Sequence, residues 1–186
     1  ERCVAKLLNE TEEAKNWGIE FQKPNIDLDK LRDWKNKVVD KLTSGVGTVA
    51  KFRKVNYVQG TATFKNSTTL IVDKKDGSKE EMTFDKIVIA TGSRITTIPS
   101  FNIGSKRLLN STSALDLPAI PKSLLVIGGG YIGLELGSVY QALGSKVSVV
   151  EMLDGLLPGA DRDLVSHLSK RLKEKFESIM LNSKGV

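Results

Sequence analysis

Residues 124–151 read LLVIGGGYIGLELGSVYQALGSKVSVVE: an apolar run, a glycine turn, an amphipathic stretch and a second apolar run that ends in a carboxylate. This order predicts a strand, a tight turn, a helix and a second strand, the β-α-β unit that binds dinucleotides. Gly128, Gly130 and Gly133 supply G-x-G-x-x-G. The first glycine permits the turn, the second lets backbone approach a pyrophosphate, and the third lets helix and strand pack closely. Ile132, Leu136, Val139 and Leu143 are expected to form the apolar stripe of the helix, which closes at Gly144. Free N–H groups at its amino end would face a phosphate, so Gly128, Gly129, Gly130, Tyr131, Ile132 and Gly133 are the candidate cofactor-binding segment.

Glu151 lies 21 positions beyond Gly130, close to the spacing of about 20 expected of a carboxylate that accepts hydrogen bonds from ribose hydroxyls. That favours NAD over NADP. A 2′-phosphate would be repelled by Glu151, and Met152, Leu153 and Asp154 offer no arginine to neutralise it.

The 186 residues are 40% hydrophobic and 27% charged, ordinary globular material sufficient for one domain or two small ones. No apolar run of about 18 residues is present, and ERCVAKLLNE lacks signal-peptide architecture, so no membrane span is expected. The single cysteine, Cys3, excludes an intramolecular disulfide and an all-cysteine metal site. It fits a reducing compartment, the cytoplasm, or the mitochondrial matrix in a eukaryote. No metal site is expected. The net charge of +6 raises the question of nucleic acid, but its basic clusters are short: Lys51, Arg53 and Lys54, then Lys170, Arg171, Lys173 and Lys175 interleaved on one helix. No nucleic-acid partner is expected. Because the chain begins with Glu1, it is expected to be an internal piece of a longer protein.

Upstream, residues 4–17 read as a helix stopped by Gly18. A second helix, capped by Asp27 or Asp29, is expected to run to about Lys51 with Leu31, Trp34, Val38, Leu42 and Val49 on one side, loosened by Gly45 and Gly47. VNYVQG, TATF, TTLIVD and EEMTF read as a small antiparallel meander with Asp76 and Gly77 in the last turn. Residues 87–90 read as a buried strand of a parallel sheet, running into Thr91, Gly92 and Ser93. Proline punctuation places a domain boundary near residues 115–122. After Glu151, a helix capped by Asp161 with Leu164, Leu168 and Leu172 inward, and a strand at 179–181, extend the unit to β-α-β-α-β.

Three stretches, TFDKIVIATG (83–92), STSAL (111–115) and residues 122–163, together resemble the flavin-dependent pyridine-nucleotide disulfide oxidoreductases, and most closely the branch that oxidises dihydrolipoyl groups with NAD. A glutathione-reducing member typically carries basic residues where this chain has Glu151. The resemblance implies an α/β fold: a partial FAD-binding domain with an antiparallel β-meander over residues 1–116, then the first half of a Rossmann-like NAD-binding domain over 117–186. It implies FAD beside Thr91, Gly92 and Ser93 and, by a weaker match, against Gly60, Thr61 and Ala62. It implies NAD over residues 128–133 and Glu151, with Glu135 near nicotinamide and flavin.

The family's first FAD fingerprint and its redox cysteine pair have no counterpart in this chain, and Cys3 has no partner thiol, so no catalytic residue is assigned here. His167 is read as structural. By resemblance, the intact enzyme would oxidise dihydrolipoyl groups carried on the acyltransferase of a 2-oxo acid dehydrogenase complex, pass electrons through a disulfide and FAD to NAD, and form a homodimer. The alternatives are another NADH-dependent flavoprotein reductase of the same architecture and a non-catalytic nucleotide-binding fragment. The isolated chain is expected to be inactive towards lipoamide.

Overall fold

A computed structural model describes residues 2–184. The chain is α/β and divides into two compact units, residues 1–36 with 95–186, and residues 37–94.

In the first unit, β4 (Ser123–Ile127), β5 (Lys146–Val150) and β6 (Ser178–Met180) form a parallel sheet in the order β4-β5-β6. Parallel neighbours require long crossovers, supplied here by α4 (Tyr131–Ala142) and α5 (Arg162–Lys175). The β-α-β-α-β order is therefore as expected, with the last strand one residue earlier. Leu124, Val126, Val147 and Val149 share one sheet face, covered by Leu134 of α4, Val165 and Leu172 of α5, and Phe176 just beyond α5. The opposite face of β4 is open, leaving Leu125 and Ile127 exposed.

The expected stripes hold except at their first residues: Val139, Leu143 and Leu172 are buried, and Leu136 and Leu168 pack against the core. On α4 the buried residues are Leu134, Gly137, Val139 and Tyr140, while Ile132 is exposed. On α5 Val165 and Leu172 are buried and Leu164 is exposed. In each helix the stripe begins one or two residues after the first apolar side chain, because the helix enters from a turn that fixes its rotation. Asp161 occupies the N-cap position of α5 without a side-chain cap bond, and His167 is exposed.

A second cluster packs α1 (Arg2–Glu13) and α3 (Ser111–Leu115) on the other side of α4, around Ala5, Ala114, Leu117, Val139, Tyr140 and Leu143. Asn110 caps α3 reciprocally with Ser113, and the Tyr140 hydroxyl donates to the Ala114 carbonyl at 2.9 Å. A short 3₁₀ turn (Ala14–Trp17) follows α1 and ends at Gly18, as expected.

Helix α2 (Leu28–Phe52) starts in this unit, where the Asp27 carboxylate accepts from the Lys30 amide at 3.0 Å. Contrary to expectation, it runs unbroken through Gly45 and Gly47, and none of its residues is buried. An interior glycine costs about 1 kcal/mol, which a helix of this length absorbs once nucleated. Leu31 packs against the second cluster, whereas Trp34, Val38, Leu42 and Val49 are exposed.

The second unit holds β1 (Gly60–Asn66), β2 (Thr69–Lys74) and β3 (Lys79–Thr83), an antiparallel meander in sequential order. The expected run at 55–60 contributes only Gly60. The β2–β3 turn contains Gly77 at φ 83° and is pinned by Asp76, whose carboxylate accepts from the Ser78 amide at 2.9 Å and hydroxyl at 2.7 Å. Residues 87–90 are not a strand, a further correction: they are irregular, with Val88 89% exposed. A parallel strand exists only through its neighbours, and no described strand pairs with this segment.

Candidate nucleotide site

The site is built where β4 ends. Gly128 adopts φ 98°, which carries the chain sharply from strand to helix, and its amide bonds the Val150 carbonyl at 2.8 Å. At Gly133 a Cβ would stand 2.8 Å from Val126 Cγ1 and 2.9 Å from the Gly128 carbonyl oxygen, so a side chain there would separate α4 from β4. Gly130 is the contrasting case. Nothing lies within 4 Å of the place its Cβ would occupy, which leaves the backbone open to a close ligand. It is the N-cap of α4, with no side-chain cap bond. No side chain caps the first-turn N–H groups of α4, which carry the positive end of the helix dipole.

Glu151 directly follows β5 and is 8% exposed. A carboxylate so buried needs hydrogen-bond donors. Gly129 N–H donates to Oε2 at 2.6 Å and Leu153 N–H to Oε1 at 2.8 Å. Two oxygens offer about four lone-pair directions, so acceptor capacity is left for ribose hydroxyls. A Cβ on Gly129 would stand 3.1 Å from Oε2 and 2.6 Å from Leu156 Cδ2. The sequence motif singles out glycines 128, 130 and 133; the structure adds that Gly129 is crowded by the acid itself.

Tyr131 and Ile132, in the first turn of α4, are both exposed. Glu135 lies one turn further and pairs with Arg2 of α1 at 3.1 Å, an exposed pair of small energetic weight. Both line an open groove of about 950 Å³ between α1, α4 and α5, which Cys3, Lys6, Tyr131 and Arg171 also reach. Cys3 is a free, exposed thiol.

The residues expected near FAD fall in the second unit. Gly60, Thr61 and Ala62 lie on β1, paired with Lys74, Asp73 and Val72 of β2. A Cβ at Gly60 would meet the Asp73 carbonyl oxygen at 2.5 Å, so strand packing is sufficient reason for this glycine. Thr91, Gly92 and Ser93 are exposed in the irregular stretch after residue 86. Gly92 adopts φ 75° with no atom within 4 Å of its Cβ position, and its backbone is open to close approach.

One residue at this site belongs to no sequence motif. Arg162, the first residue of α5, donates to the carbonyls of Leu156, Leu157 and Ala160. Its sequence signal is faint: it is the first cation after Glu151. Among the described residues, no group of three or more His, Cys, Asp or Glu is placed to hold a metal ion, and no helix is long and apolar enough to cross a membrane.

The profile of the pyridine nucleotide-disulphide oxidoreductases matches residues 2–184. The chain belongs to that family. Among curated proteins it is 46% identical over 181 residues to the dihydrolipoyl dehydrogenase of Haemophilus influenzae, covering 97% of this chain and 38% of that protein. It is 45% identical to that of Vibrio cholerae, with the same coverage. Among solved structures it resembles LpdA from Mycobacterium tuberculosis with a TM-score of 0.82 at 23% identity, over 99% of this chain and 40% of that one, a likeness of fold. It also resembles the HOCl-induced flavoprotein disulfide reductase RclA from Escherichia coli, with a TM-score of 0.73 at 28% identity, over 97% of this chain and 39% of that one. The chain thus spans 38% of the length of the curated relatives it matches.

Proposed function

We propose that this chain is the nucleotide-binding part of an NAD-dependent dihydrolipoyl dehydrogenase. The observation that carries the reading is the buried Glu151 carboxylate bonded to Gly129 N–H at 2.6 Å, beside the uncapped amino end of α4. In this reading the pyrophosphate lies over Gly130, whose missing side chain leaves room for it, and the N–H groups of Tyr131, Ile132 and Gly133 donate to it. Glu151 accepts from the ribose hydroxyls and repels a 2′-phosphate. Glu135 faces the reacting end, with its carboxylate held by Arg2.

Thr91, Gly92 and Ser93 supply an open backbone for FAD, and β1 offers the outward main-chain groups of Gly60, Thr61 and Ala62, since among the described residues only its β2 edge is paired. Bound together, FAD and NAD supply two-electron transfer between flavin and nicotinamide. This chain's share is to bind and orient them: residues 1–116 on the FAD side, residues 117–186 on the NAD side.

The parent would act on dihydrolipoyl groups of a 2-oxo acid dehydrogenase complex, as a homodimer in the cytoplasm or the mitochondrial matrix. With one cysteine the chain lacks the two sulfurs a dithiol relay needs, so it turns over no lipoamide alone. The similarity to RclA keeps a second reading, another NADH-dependent flavoprotein reductase. The higher identity to dihydrolipoyl dehydrogenases favours the first.

The test is a titration of the purified chain with NADH and NADPH, followed by nucleotide fluorescence. Saturable binding of NADH in preference to NADPH is expected; binding of neither, or a preference for NADPH, overturns the assignment of the site.

A further inference from the structure

Arg162 is surrounded by main-chain oxygens. Its Nε donates to the Ala160 carbonyl at 3.0 Å, its Nη1 to Leu156 at 3.0 Å, and its Nη2 to Leu157 at 2.5 Å and Ala160 at 2.8 Å. A guanidinium has five N–H groups in a rigid fork, and four hydrogen bonds bind this one to a single loop. Gly155 gives way to it, since a Cβ there would stand 2.9 Å from Nη1.

That loop is in turn fixed to the glycine turn. Leu157 N–H donates to the Gly129 carbonyl at 2.9 Å, and the buried Leu156 fills the space beside Gly129. Gly129 N–H then bonds Glu151 at 2.6 Å. A continuous chain of contacts joins the start of α5 to the carboxylate at the end of β5. The same bonds occupy the first cation that follows Glu151 in the sequence.

We infer that Arg162 is a positioning residue for nucleotide selectivity: its hold on the Leu156, Leu157 and Ala160 carbonyls keeps the loop against Gly129 and keeps the Glu151 carboxylate aimed at the ribose. The inference rests on the nucleotide reading above and extends it to a residue that need not touch the nucleotide. Lysine is a poor substitute, because a point charge cannot span three carbonyls.

The experiment compares the purified chain with R162A and R162K variants in two measurements: the NADH and NADPH dissociation constants, and amide exchange at Gly129 and Leu157 with Val72 of β2 as reference. In R162A, exchange at Gly129 and Leu157 should quicken while Val72 is unchanged. NADH binding should weaken about tenfold and NADPH binding less, narrowing the ratio, with R162K between. Unchanged exchange at Gly129 and Leu157 overturns the inference. So does an equal loss for both nucleotides, which is what general loosening would give. If the unaltered chain binds neither nucleotide, the underlying reading fails; if it prefers NADH and R162A retains that ratio, this inference alone fails.

Discussion

Gly129 and Glu151 stand 22 positions apart and meet at 2.6 Å, main-chain N–H to carboxylate oxygen, inside the first compact unit. Replacing Glu151 by alanine removes a buried acceptor of two N–H groups and leaves both unsatisfied. A loss of about 1–3 kcal/mol of stability is expected, together with NADH binding at least about tenfold weaker. Chemical denaturation and fluorescence titration of the variant check the two effects separately. Retention of the NADH preference would remove Glu151 from the selectivity argument.

Gly133 should not accept a side chain. Valine there must displace Val126 Cγ1 and the Gly128 carbonyl oxygen, 2.8 and 2.9 Å from the Cβ position. Overpacking against backbone costs about 1–3 kcal/mol or more. The Gly133→Val midpoint in urea should fall accordingly, and unaltered stability would mean that α4 sits further from β4 than these distances require.

Tyr140 is fully buried, and its hydroxyl binds the Ala114 carbonyl. Tyr140→Phe keeps the ring and removes one donor from a carbonyl that still accepts from the Leu117 amide at 3.2 Å, so the expected cost is that of one net hydrogen bond, about 0.5–1.5 kcal/mol. Thermal or urea unfolding reads it, and amide exchange should rise first in α3.

The rotation of α5 can be tested by a pair of substitutions. Leu172 is buried and Leu164 is exposed, so Leu172→Ala should cost about 2–5 kcal/mol and Leu164→Ala no more than about 0.5 kcal/mol. Equal effects would mean the helix presents the face that leucine spacing alone indicates.

The β2–β3 turn carries a pH dependence. Hydrogen bonds from the Ser78 hydroxyl and amide hold the Asp76 carboxyl below its ordinary range, with a smaller contribution from Lys74. The folded-state value lies below the unfolded one. The stabilising contribution is therefore present above the ordinary aspartate pKa of about 3.9 and is lost as pH falls through the lower folded value. An NMR titration of Asp76 with the Ser78 amide should show one common inflection below that of a model peptide; an inflection at the ordinary value would contradict the turn geometry.

What is legible in the sequence is local. The glycine turn, its strands and the acid at position 151 lie within one short stretch, and each reports a requirement of that stretch alone: a positive φ at 128, no room at 133, a strand end at 151. Residues 87–90 illustrate the opposite. Their apolar character marks a strand only if others pair with it, a property of neighbours that no window of sequence contains. Helix rotation is partly hidden for a similar reason. The spacing of Leu136, Val139 and Leu143 marks part of the inward face, but it does not show that Leu134 and Tyr140 join that face while Ile132 stays exposed. Arg162 leaves little trace in the sequence because its partners are carbonyl oxygens, which every residue has and no sequence pattern reveals.

The contacts that shape the glycine turn all close over short stretches of chain: Gly129 to Glu151 over 22 positions, Arg162 to Leu156 over six. Short closures cost little chain entropy, and structures rich in them form rapidly. The nucleotide cleft is accordingly a kinetically local object. Its glycine turn should acquire its shape ahead of the packing of α1 on α4, where Arg2 and Glu135 stand 133 positions apart, and insertions between α1 and Ser123 should slow that later step more than the turn.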